Sequence, residues 1–256
     1  MLRWLVPGAA LALLVTVGGF PGARLLLLPN LGFAPLLAVL ILHGLRRAPS
    51  PGLAASARRA GAGVLGFVHV ALAPLLFVAS TGMIADIARK VEEIARTAEV
   101  GAPPRKRVFI ISGSDPMAST YPASILLASD ADAPSCWAVL SMNKATHRLT
   151  RTGVSSFTLG PAKGTMLTGM FETLYRSPEV SPLRAGDVIG QCGATIRVAT
   201  VEGGRPTRIE VDLGVPLEDP GLALLTWRDG RLRRFELPQI GETVELPWWP
   251  GPTGFF

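Results

Sequence analysis

The hydrophobic pattern divides the chain in two. Uncharged, predominantly apolar stretches run over 5–20, 25–42 and 64–84, the last including His69. The second has 18 residues and at 1.5 Å per residue reaches about 27 Å, near the hydrocarbon thickness of a bilayer. Three such stretches in succession predict three transmembrane helices within residues 1–84. The first also fits a signal peptide, with Pro21-Gly22-Ala23 as the cleavage region. Proline is unfavourable there and a second apolar stretch follows at once, so three retained spans are expected.

Beyond the third stretch the periodicity changes. Ile84, Ile87, Val91, Ile94 and Ala98 alternate steps of three and four, which predicts an amphipathic helix continuing from the membrane. Its stripe suits either pairing with a second chain or packing on the chain's own domain. Residues 85–107 thus read as a juxtamembrane helix and linker, 108–247 as a soluble domain, and 248–256 as an aromatic tail suited to domain packing or to lipid headgroups.

Within the domain, 107–112, 136–141, 147–152 and 156–159 read as strands. Residues 121–129 read as a helix, and so do 165–176, where Met166, Met170 and Leu174 fall at four-residue steps. The second half is β-rich. Residues 194–202 and 207–213 flank Gly203-Gly204, and 222–228 and 231–237 flank Asp229-Gly230, a strong hairpin signal because both turn positions need positive φ. A last strand runs over 241–246. The expected fold is a three-span membrane segment followed by an α+β domain ending in an antiparallel meander or small barrel.

Charge sharpens the membrane reading. The first acidic residue is Asp86, and before it stand Arg3, Arg24, Arg46, Arg47, Arg58 and Arg59. The other 19 basic residues balance the 19 acidic ones, so the net charge of +6 reflects arginines between apolar segments. That argues against a nucleic-acid partner, which needs a basic patch on a folded surface. Loop 44–61 holds four of these arginines, so the positive-inside rule places it in the cytoplasm and the soluble domain on the outer side of the membrane. Arg89, Lys90, Arg96, Arg105, Lys106 and Arg107 after the third stretch weigh against that side.

Candidate chemistry centres on Val108-Phe-Ile-Ile-Ser-Gly-Ser-Asp-Pro116, a strand, a small polar loop and a helix start. Ser112, Ser114 and Asp115, with His147 as base, are the residues a nucleophilic site would use. The pattern is not the GxSxG elbow, and Ser114 or Asp115 capping a helix accounts for it equally well. Neither a P-loop nor GxGxxG is present, and no cofactor is expected. Glu218-Asp219 with Asp212 or Asp229 lacks the oxygen density of a calcium loop and reads as a turn. Cys136 and Cys192, separated by 56 residues, cannot form a CxxC motif and fit either a disulfide or two buried thiols. His69, ionisable within an apolar stretch, fits an interhelical hydrogen bond or a proton relay.

The stretches RVFIISGSDPMAS, FETLYRSPE and LRAGDVIGQCGATIRVATVEGGRPTRIEVDLGVPLEDPGLALLTWRDGRLRRFELPQIGETVEL resemble the C-terminal module of uncharacterised polytopic bacterial membrane proteins. The resemblance covers roughly residues 60 to 247. It implies further spans upstream in other members, so this chain reads as a short member or a partial reading frame. It carries no catalytic residues across. Gly18, Gly19, Gly61, Gly63 and Gly66 would permit close helix contacts. The expected partners are therefore the lipid bilayer and either further copies or other membrane subunits. A non-enzymatic accessory, scaffold or binding subunit of an envelope complex is the expected role, with a membrane-tethered hydrolase or transferase at the Ser112–Asp115 loop as the alternative.

Overall fold

The structure is a computed structural model that describes residues 2–16, 27–46, 52–101, 107–129 and 134–252. Two compact units meet in sequence at Met83 and Ile84. The first holds α1 (Leu2–Thr16), α2 (Leu27–Leu45), α3 (Leu53–Gly66), a π-helical turn (Phe67–Leu72) and the start of α4 (Ala73–Thr97). Gly32 of α2 lies against Ala9 and the Leu5 carbonyl of α1, and Gly44 lies against Ala62 of α3. A methyl group at either glycine would overlap its neighbour, the small-residue contact by which apolar helices approach closely. Gly61 and Gly63, expected to make such contacts, face open space. Gly18, Gly19 and the Pro21–Ala23 turn lie outside the described residues.

The expected three-span segment is overturned. Among the described residues one helix, Leu53–Thr97, is long and apolar enough to cross a membrane, with 45 residues and a mean hydropathy of 2.2 in its most apolar window. The apolar helices Trp4–Leu14 and Pro29–Leu45 are shorter.

In the second unit, β1 (Arg107–Ser112) lies between two parallel neighbours, β2 (Cys136–Val139) and β8 (Leu222–Arg228), and β9 (Arg231–Arg234) completes the order β2-β1-β8-β9. Short helices α5 (Pro116–Ser119) and α6 (Tyr121–Ser129) connect β1 to β2. The remaining strands form an antiparallel sheet. They are β3 (His147–Arg151), β4 (Ser156–Pro161), β5 (Val188–Gln191), β6 (Ala194–Glu202), β7 (Arg205–Asp212) and β10 (Thr243–Leu246), in the order β10-β3-β4-β7-β6-β5. The meander or small barrel is thus corrected too: β8 and β9 belong to the mixed sheet, and β10 crosses to the edge of the other.

Alternation along β1 explains the two layers. Phe109 and Ile111 enter a core with Leu149, Phe157, Leu159 and Val211 of the antiparallel sheet. Val108 and Ile110 enter a second core with Ala118, Leu225, Trp227 and Ile94 of α4. All four are fully buried, each worth about 1.5–3 kcal/mol in burial. The predicted stripe on α4 finds its partner here, with Val91, Ile94 and Ala95 buried.

Three two-residue hairpins, at Cys192-Gly193, Gly203-Gly204 and Asp229-Gly230, have positive φ at both central positions. The first places Cys192 for a disulfide with Cys136, Cα atoms 5.7 Å apart, which joins the two sheets. Arg107 reinforces the same junction, its Nη1 donating to the carbonyls of Leu213 at 2.9 Å and Cys192 at 3.3 Å.

The disulfide closes a long loop, which limits the unfolded chain. Replacing both cysteines by alanine is expected to lower the unfolding free energy of the full chain in detergent by about 2–4 kcal/mol. Urea unfolding of the wild type with reductant should match the variant, and reductant should leave the variant unchanged.

Candidate functional site

The loop that follows β1 is built as a strand-to-helix turn. Gly113 approaches Ser119 so closely that a side chain there would overlap the Ser119 hydroxyl, and its N–H donates to the Ser141 carbonyl at 2.8 Å. Asp115 is extended, and its Oδ1 accepts from the Ala118 N–H at 2.8 Å, capping α5 with Pro116 at the first helical position. Beside it the chain leaves β2 through Ser141, Met142, Asn143 and Lys144. Both loops lie at the carboxyl ends of parallel strands, where β1 has one neighbour reached through α5 and α6 and another, β8, from far along the chain. Open α/β sheets place ligands at such a point.

A cleft of about 320 Å³ opens there. Its polar lining comes from Ser114, Asp115, Asn143, Lys144, Thr168 and Glu172, and its apolar walls from Pro116, Met142, Met170 and Phe171. Glu172 lies in the first turn of α7 (Met170–Tyr175), where its Oε2 accepts from the Gly169 N–H at 3.2 Å and its Oε1 from the Met142 N–H at 3.0 Å. Burial raises the Glu172 pKa above its ordinary value, while the Met142, Gly169 and Thr168 backbone pulls the other way. The Asn143 amide donates to the Thr165 carbonyl at 2.8 Å and accepts from the Thr168 hydroxyl at 2.6 Å. Ser114 is buried, and its hydroxyl finds no hydrogen-bond partner among the described residues.

The C-terminal tail packs on two of the residues that line this cleft, Ser114 and Asp115. Gly251 abuts the Ser114 hydroxyl and the Asp115 carboxylate, the Pro250 carbonyl accepts from the Trp227 indole at 3.0 Å, and the Lys144 ammonium stands 4.9 Å from the centre of the Trp248 ring. Phe255 and Phe256 lie outside the described residues.

The predicted nucleophilic set separates into two places. Ser112 and His147 are in the interior: His147 Nδ1 is 3.3 Å from Ser112 Oγ and its Nε2 is 2.9 Å from Ser141 Oγ. Burial pushes the imidazole down to about 4 from an ordinary 6.5, against an opposing contact with the Ala145 backbone. A neutral imidazole offers one donor and one acceptor, so the two serines complete it. Ser114 and Asp115 line the cleft, and the structure forms no hydrogen bond from His147 to either. The other candidates stand apart. His69 lies exposed in the π-helical turn, and its side chain makes no hydrogen bond among the described residues. Glu218 pairs with Arg151, Asp219 accepts from the Gly221 N–H, Asp212 from the Gly214 N–H, and Asp229 pairs with Arg228 and Arg233. Those four carboxylates form no common centre.

Glu172, Asn143, Ser141 and Lys144 are the cleft and junction residues that sequence reasoning missed. One signal was available for Glu172, which stands three residues after Gly169 at the spacing of a helix-start acid. No family model, curated protein or solved structure matches the chain.

The buried imidazole has a consequence for stability. Below 6.5 the unfolded chain takes up a proton that the folded chain refuses until about 4. Stability from this group is therefore complete above 6.5 and is lost as pH falls toward 4, by about 3 kcal/mol over the window. His147→Gln should remove that part of the slope in unfolding measurements between those pH values.

Proposed function

We propose that this protein is a non-enzymatic binding or accessory subunit of a bacterial envelope complex, anchored in the inner membrane through the helix Leu53–Thr97, with its two-sheet domain on the outer face. The observation that carries the non-enzymatic reading is the sealed imidazole. His147 is fully buried, both ring nitrogens face serine hydroxyls, and Ser114, which lines the cleft with its hydroxyl buried, has no base bonded to it. A nucleophilic serine needs a base that can take its proton and turn over with solvent. Further copies of the chain or other membrane subunits, together with the lipid bilayer, are the partners this role requires. The Cys136–Cys192 disulfide supports the outer placement, because such bonds persist in oxidising compartments.

The 3.3 Å Ser112–His147 approach favours one competing reading, a membrane-tethered serine hydrolase or transferase. A fluorophosphonate probe separates the two on the full chain in native membranes. No labelling of Ser112 or Ser114 is expected. Labelling of either serine that disappears in His147→Ala would establish the hydrolase. The side is tested in intact cells with a membrane-impermeant maleimide. Cys136 and Cys192 are expected to react only after reduction, and a requirement for permeabilisation would put the domain in the cytoplasm.

A further inference from the structure

The polar inventory of the cleft is lopsided. Both Glu172 oxygens accept main-chain N–H groups, Asp115 Oδ1 caps α5, and the Asn143 amide is bonded at both ends. Two donors stand outside these bonds: the buried hydroxyl of Ser114, without a partner among the described residues, and the ammonium of Lys144, which engages the Trp248 ring rather than a carboxylate. A buried hydroxyl left unpaired is unfavourable, so its setting favours an incoming acceptor.

We propose that the cleft binds a small apolar carboxylate, its oxygens taken by Ser114 and Lys144 and its hydrocarbon part lying against Met142, Met170 and Phe171. Three considerations select this class. A volume of about 320 Å³ is at the small end of ligand cavities. The walls are a ring and two thioethers, which adapt to aliphatic or aryl groups. The acidic side chains of Asp115 and Glu172 border the same space, so a dianionic phosphate meets more repulsion than a single negative charge. Glu172, whose carboxyl burial favours in the neutral form, adds less repulsion than an exposed acid would. The carboxylate can be a free acid or the C-terminus of a peptide ending in an apolar residue. The inference rests on the reading of the domain as a binding module.

The test uses the full chain in nanodiscs and calorimetric titration with 3-phenylpropionate, hexanoate, and a tetrapeptide ending in phenylalanine. Their carboxamide counterparts and 3-phenylpropylamine serve as comparisons. The acids are expected to bind at least about tenfold more tightly than the amides, with about tenfold losses in Ser114→Ala and in Lys144→Met. Gly251→Val should abolish binding without touching either donor, because a side chain there enters the space beside the Ser114 hydroxyl. The urea midpoints of the three variants verify that each is folded. Preference for the tetrapeptide or for the free acids identifies the source of the carboxylate. No acid binding at millimolar concentration, equal binding of acids and amides, preference for the amine, or retained affinity in both donor variants would each overturn the proposal. Incubation with 4-nitrophenyl 3-phenylpropionate and intact-mass analysis tests the underlying reading separately. Turnover with an acyl adduct on Ser114 would overturn the binding module while leaving the ligand class standing.

Discussion

Because neither face of β1 meets solvent, everything in the second unit is arranged around it. A strand reading Val108-Phe-Ile-Ile111 cannot lie on a surface without exposing two of its side chains, so it requires a layer on each side. The antiparallel sheet takes Phe109 and Ile111, and α4 with α5 takes Val108 and Ile110. Burial on both faces is the usual condition of parallel strands, and β1 pairs in parallel with β2 and β8. The side chain after Ile111 is polar yet interior. Ser112 satisfies this by facing His147 on the first strand of the other sheet, so the imidazole helps join the mixed sheet to the antiparallel one. Arg107 does the same at the opposite end of β1 through two carbonyls, close to the disulfide.

That junction decides what the β1 loop can do. A histidine tied into the interior keeps its neutral form and holds Ser141 and Ser112 in place, which orders the two loops that frame the cleft. The same burial denies it the exchange with solvent that a general base needs. Order and catalysis make opposite demands on one imidazole, and its position at the sheet junction favours order. Glu172 repeats the pattern: its carboxyl ties Met142 to Gly169 and so fixes one wall of the cleft.

Local chemistry made much of this fold legible, whereas pairing between distant segments stayed hidden. Gly203-Gly204 and Asp229-Gly230 announce hairpins because only a few residues tolerate their backbone, and both turns form where they were read. Cys192-Gly193 makes the same turn, but a cysteine at φ 55° carries no such signal, and the short exposed strand β5 before it went unread. The helix read over 165–176 shrinks to Met170–Tyr175, since Met166 is buried by the antiparallel core and not by a helical neighbour. Apolar runs in the first unit looked alike by composition, but among the described residues only Leu53–Thr97 is both long and apolar enough to cross a membrane. Ser114 and Asp115 were legible as a polar loop. Their cleft was not, because Lys144 follows β2, which pairs in parallel with β1, whereas Glu172 follows β4 of the other sheet.

The tail adds a constraint that local sequence does not express. Gly251 touches both Ser114 and Asp115, and any larger residue would occupy the space beside them. The glycine therefore matters for its lack of a side chain rather than for its backbone freedom. By lying there, the tail shields the Ser114 hydroxyl from bulk water and strengthens whatever hydrogen bond that group makes, since a low local dielectric raises the energy of a polar contact. Lys144 is held at the rim by the Trp248 ring, which orients the ammonium without neutralising it. A shielded neutral donor inside and an oriented cation at the edge form a gradient that admits one negative charge with an apolar body. A fully hydrated polyanion would have to shed its water beside two carboxyl groups, and among the described residues the cleft offers it no second cation in return.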